Sequence, residues 1–148
     1  MIEPTDDDER TNSLGLFNTA EAYRLSAMAL PDIKHGHAEK PRRFLYCHAI
    51  ELYLKALLRQ KHSIATVRKF GHKIRLLIRE AETLGLVVGE IDRFVLAFID
   101  DTDAMIDSRY IRTGTKRVAA LEALCRTCES VRNGVGTILR SNDVPVRL

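Results

Sequence analysis

Tryptophan is absent, and cysteine, proline and glycine are scarce, at three, four and eight of 148 residues. So few turn-formers exclude a turn-rich β-sandwich. Three cysteines, Cys47, Cys125 and Cys128, do not make a disulfide framework, and an odd count fits reduced thiols. Cys125 and Cys128 form a C-x-x-C pair, but a structural zinc site would need two further ligands. In a helical stretch the two share one face, and both are expected to be small core residues. His35 and His37 stand two apart in a polar stretch with no evident third ligand, so no metal is expected. No motif calls for a cofactor. No apolar run approaches the roughly 18–20 residues that cross a bilayer. The first residues, Met1 to Glu9, are acidic, which fits neither a secretory signal nor an Arg-rich transit peptide. A cytoplasmic protein without membrane contact is the expectation.

Acid is missing altogether from residues 52–79, which hold eight Lys/Arg. Residues 80–107 reverse this, with eight acids and one base, and residues 1–10 hold five acids and one base. Such blocks suit a polyanion-binding face, or segments that neutralise one another across helices or across a dimer seam.

What is present is helical periodicity over most of a length that fits one domain. Residues 1–12 read as a disordered acidic arm, residues 13–140 as a helical bundle, and residues 141–148 as a loose tail. Leu16, Ala20, Tyr23, Ala27 and Leu30 recur at helical spacing and predict a first helix that Pro31 ends. Pro41 suits the first position of a second helix, running to about His62. Its middle, Ala49 to Leu58, is apolar almost all round, as in a central helix. A third helix is predicted over 71–84, with Ile74, Leu77, Ile78 and Ala81 inward, Gly85 as its cap, and a short helical turn before it at 64–69. A fourth covers 90–106, with Ile91, Phe94, Val95, Phe98, Ile99 and Ile106 as its stripe. A fifth covers 116–139, where Gly134 and Gly136 would fray or kink the end. The expected fold is an all-α, up-and-down bundle of four to five helices.

The second helix poses the functional question. His48, Glu51, Lys55, Arg59 and His62 follow one another at spacings of 3, 4, 4 and 3, so they share a stripe. A charge partly buried among Leu52, Tyr53, Leu54 and Leu57 costs several kcal/mol unless paired. The stripe therefore either needs partners from another helix, another subunit or a ligand, or is the solvated face of an otherwise buried helix. His72 opens the third helix, where the dipole disfavours positive charge; it could act as a general base or make local hydrogen bonds. Arg109 and Tyr110, between the last two helices, offer a guanidinium fork beside a phenol, suited to carboxylate or phosphate or to stapling loops.

Together, Ala20-Glu21-Ala22-Tyr23, Ser26 to Leu30, His48 to Leu58, Gly71-His72-Lys73-Ile74 with Leu77, and Arg109-Tyr110 resemble a bacterial HEPN-type domain over residues 13–140. The resemblance implies a bundle of four to five helices that often dimerises. It also implies association with RNA or nucleotide, in a defence or toxin–antitoxin setting, with a nucleotidyltransferase-like protein as cognate partner. Some members are metal-independent endoribonucleases; others are inactive scaffolds. The ribonucleases carry Arg, four to six residues, then His near the start of a late helix. Here the late helices hold no His, and the pattern occurs on the second helix as Arg43-x4-His48 and as Arg42-x5-His48. Were the chain an enzyme, His72 or His48 would be the base and Arg109 or Arg43 the charge stabiliser. Glu51, Lys55, Arg59 and Tyr110 would form the accompanying ligand or dimer cluster. A non-catalytic homodimeric interaction module is the other reading.

Overall fold

The computed structural model describes residues 10–102 and 120–148, with side chains described at 10–99 and 120–148. Among these residues the chain is an all-α bundle of six helices without strands. They are α1 Ser13–Ala29, α2 Glu39–Leu58, α3 Ile64–Lys69, α4 Ile74–Thr83, α5 Glu90–Thr102 and α6 Leu121–Ser141. The expected elements are all present, the short turn at 64–69 being α3. Asp103, Ile106, Asp107, Val118, Arg109 and Tyr110, and residues 1–9, lie outside the described residues.

Local chemistry explains most boundaries. The Asn12 side chain caps α1, accepting from the Gly15 N–H at 2.8 Å. Leu30 leaves the helix at ψ 134 because Pro31 disfavours the α region for the residue before it. Arg42 holds this exit in place, its Nε donating to the Ala27 carbonyl at 2.9 Å and Nη1 meeting Asp32 at 3.1 Å. Helix α2 starts two residues earlier than expected, so Pro41 is its third residue; a missing N–H still costs nothing there, because the first four lack intrahelical partners. It also ends four residues sooner, at Leu58. Ser63 caps α3 through the Thr66 N–H at 3.2 Å. Gly85 follows α4 as expected, with its N–H on the Glu82 carbonyl at 3.1 Å and the Leu86 N–H on Ala81 at 3.1 Å, the paired bonds of a Schellman end.

Helix α2 is the centre of the molecule. It packs along α1, α6 and α4, while α5 bridges α4 and α6. Tyr53, Ile50, Leu54, Leu57 and Leu58 are fully buried on it. Phe17 of α1 is also fully buried, with its ring edge-on to Tyr53 at 5.1 Å. Ile74, Leu77, Ile78 and Ala81 face inward on α4 as anticipated.

Three expectations are corrected. The core face of α5 is Val95, Leu96 and Ile99, whereas Ile91 and Phe94 point outward at 78% and 70% exposure. Gly134 and Gly136 do not fray α6, which runs on to Ser141. Gly136 is a point of close approach: a Cβ there would overlap the Leu148 side chain. The final residues, expected loose, carry no helix but fold back on α6. Val146 is buried and its carbonyl accepts from Arg140 Nε at 3.0 Å.

Candidate functional site

Glu51 is the one acidic or basic side chain among the buried residues described, at 1% exposure. It sits in the apolar body of α2, facing α4. A carboxylate withdrawn from water this far needs counter-charge and hydrogen bonds. Three side chains supply them. His72 reaches across from the α3–α4 connection, its Nδ1 on Glu51 Oε1. Lys55 Nζ lies 3.8 Å from Oε2, one turn along α2. His48 Nδ1 lies 3.5 Å from Oε2 on the other side. The His48 contact is not a hydrogen bond of ordinary geometry, and that buried nitrogen has no other partner among the described residues. At that distance it acts on Glu51 through its proximity to the carboxylate. The His48 ring is fixed by stacking on Phe44, with centroids 5.8 Å apart, and by the edge of Tyr23 at 4.5 Å.

Burial pushes the Glu51 carboxyl up, but His48, the Lys55 ammonium and His72 more than offset it, and the net shift is downward. Glu51 is thus ionised at neutral pH and can only accept hydrogen bonds. The His72 Nδ1 must donate. In the neutral ring this leaves the lone pair on Nε2, on a side chain that is 58% exposed. Gly71, in the left-handed region at φ 58, makes the turn that presents His72 to α2. Helix α4 begins only at Ile74, with Lys73 as N-cap. His72 therefore precedes the helix, and its decisive neighbour is the carboxylate rather than the dipole expected from the sequence.

The ionic stripe of α2 divides in the structure. His48, Glu51 and Lys55 join His72. Arg59 instead forms the C-terminal end of α2, its Nε donating to the Thr11 carbonyl at 3.0 Å and Nη1 to His62 at 3.0 Å. His62 pairs with Glu80 of α4 at 2.8 Å, with Lys61 at 3.9 Å from the same oxygen. The two lower the Glu80 carboxyl's pKa, the His62 hydrogen bond foremost. Arg43 is held near the start of α2, where Nη2 meets Glu39 at 3.0 Å. Cys47 and Cys128 are core residues, and burial pushes the Cys47 thiol up to about 12.

A second polar cluster went unnoticed in the pattern. Glu21 of α1 accepts from Arg132 Nε of α6 at 2.5 Å, from Arg24 Nε at 3.3 Å, and from the Tyr53 hydroxyl of α2. Burial raises the Glu21 carboxyl, but Arg132, Tyr53 and Arg24 together bring it below its ordinary value. Glu21 and Arg132 are 111 residues apart, so no local spacing signals the pair.

What fold and site define is an all-α bundle with a buried, ionised carboxylate ringed by basic side chains at the α2–α4 seam. Compared with protein-family models, with curated proteins and with solved structures, the chain finds no match.

Proposed function

We propose that the chain is a HEPN-like, homodimeric module that binds RNA or nucleotide at the α2–α4 seam, in a defence or toxin–antitoxin setting. The observation that carries this is the convergence of His48, Lys55 and His72 on buried Glu51. One buried acid orients three basic groups, and half-exposed His72 leads from it to the end of the acid-free stretch 52–79. Within that stretch Lys69, Lys73 and Arg79 are all exposed. Phosphates are the natural ligands of such a surface. A nucleotidyltransferase-like partner belongs to the same reading by family resemblance.

The test is binding of a short single-stranded RNA and of a nucleoside triphosphate in titrations at two salt concentrations. With roughly four phosphate contacts to a single strand, affinity falls roughly 50-fold between about 50 and about 200 mM salt. Lys73→Ala with Arg79→Ala flattens that dependence. No binding of either ligand at about 50 mM salt would sink the proposal.

A second reading is favoured by the direction of the His72 ring. A carboxylate on Nδ1 with Nε2 outward is the geometry of an oriented general base. Metal-independent cleavage would use Nε2 to take the proton of a ribose 2′-OH, while a nearby cation stabilises the charged phosphate. Cleavage of RNA should then persist in EDTA and drop roughly 100-fold or more in His72→Ala. Cleavage unchanged in both His72→Ala and His48→Ala would assign it to a contaminant.

A further inference from the structure

The phosphate-binding reading and the general-base reading meet on one atom, His72 Nε2. The other ring nitrogen, Nδ1, is committed to Glu51. The side chain is more than half exposed, so Nε2 is the nitrogen left for a ligand.

The two readings need different protonation states of that atom. A neutral imidazole carries one proton on its two nitrogens. Glu51 is ionised and only accepts, so the proton sits on Nδ1. The other tautomer would set a lone pair against the carboxylate. Neutral His72 therefore presents a lone pair at Nε2, which suits a base. A phosphodiester oxygen also has only lone pairs to offer, so it finds no donor there. With a second proton, the ring donates to Glu51 on one side and to a phosphate on the other, and its charge lies between two anions.

The surroundings favour an anion on the Nε2 side. On α2 the charged and titratable groups are Glu51 itself, with Lys55 Nζ at 3.8 Å and His48 Nδ1 at 3.5 Å from its second oxygen. From α3 and α4, the charged residues flanking His72 in the chain are Arg68, Lys69, Lys73 and Arg75, all exposed. No acid occurs in residues 52–79. Glu51 is thus the one carboxylate on His72 among the described residues, and it is shared with Lys55.

We infer that His72 is a proton-linked phosphate contact, which binds a phosphodiester only when both ring nitrogens are protonated, so that binding takes up a proton. This deepens the phosphate-binding reading and rests on it. One nitrogen cannot hold phosphate and act as a base in the same state. Towards the acidic side of the histidine range the chain holds phosphate through His72; towards the alkaline side it gives up that contact and Nε2 can only accept a proton. Lysines and arginines keep their charge throughout, so the part of the affinity that they supply does not change with pH.

A single-stranded 2′-O-methyl RNA 12-mer is the probe. Its phosphodiesters keep one charge across the range, and it has no 2′-OH to lose a proton. Titration calorimetry in two buffers of different ionisation enthalpy counts the protons taken up. Between about pH 6 and about pH 8 the wild type should take up as much as one proton more per chain than His72→Gln. Where that uptake is complete, affinity should fall about tenfold for each unit rise in pH. One additional cation at the interface should also make the plot of log affinity against log salt steeper by about 0.7 at pH ~6 than at pH ~8. His37→Gln, in the α1–α2 connection, should match the wild type. Binding with no proton uptake, or with the same uptake in His72→Gln, would overturn the proton-linked contact and leave phosphate binding in place. No binding of the probe at about 50 mM salt at either pH would also overturn it, and unmodified RNA at the same salt then decides the phosphate-binding reading separately.

Discussion

At the scale of single residues, Glu51 is the charged group most fully withdrawn from water among those described. Its carboxylate has lost nearly all its water and recovers that loss from His72, Lys55 and His48. Replacing it with the isosteric amide keeps the shape and removes the charge, leaving three basic side chains around a neutral group. Glu51→Gln should therefore cost about 3 kcal/mol of unfolding free energy at neutral pH, read from urea melts. The pH dependence has a definite sign. The folded-state pKa of Glu51 lies below its unfolded value. The ionised carboxylate thus stabilises the fold above the ordinary carboxylate range, and this contribution is lost as pH falls through the lower, folded-state value. The gap between wild type and Glu51→Gln should be widest near pH 7 and close on acidification. A gap that widened in acid would mean that the group is buried in its neutral form.

Among elements, the clamp between α1, α2 and α6 centres on Glu21. Arg132 is the contact that α6 contributes to it, and its side chain is only 15% exposed. Arg132→Ala leaves Glu21 with Arg24 and Tyr53 and should cost about 2 kcal/mol. Hydrogen exchange should quicken first in the α6 amides around 128–136, while α4 keeps its protection. Uniform exchange across α4 and α6 would show that the clamp is not local. Helix positions, by contrast, were legible from the chain alone wherever apolar periodicity was unambiguous. Helix α4 read correctly in its four inward residues and its Gly85 end, though it starts at Ile74 rather than at 71. Helix α5 did not, because Ile91, Phe94, Val95, Leu96, Phe98 and Ile99 leave nearly every face apolar; periodicity cannot choose a side when both are hydrophobic. The end of α2 misread for another reason. Arg59 and His62 continue the stripe of ionic residues, but their partners, the Thr11 carbonyl and Glu80, draw them to separate places. Of the site, Glu51 with Lys55 was visible as an i, i+4 pair and His72 as a polar residue at a helix start. Their meeting is a tertiary fact that Gly71 makes possible. The Glu21–Arg132 pair, spanning 111 residues, had no local signal at all.

For the whole molecule, the outward side of α5 and of the connection before it bears on assembly. Val87, Ile91 and Phe94 are exposed at 90%, 78% and 70%, and the Phe94 and Phe98 rings lie 6.0 Å apart. Large apolar residues grouped in this way, rather than scattered, mark contact surfaces. For the homodimer proposed above, the charges of two copies are complementary. The stretch around α5 is rich in acids and the stretch through α3 and α4 is rich in bases, so two copies can set one against the other around an apolar seam. Light scattering should accordingly give twice the chain mass at micromolar concentration. Phe94→Asp should give a monomer with the unfolding midpoint of its own subunit little changed, because Phe94 contributes almost nothing to the subunit core. Salt separates the two components of the seam. If charge dominates, about 0.5 M salt dissociates the dimer. If the apolar ridge dominates, the dimer survives high salt and yields only to Phe94→Asp. A monomer at both low and high salt would remove the homodimer from the proposed function. The α2–α4 seam of a single chain would then have to bind its ligand unaided.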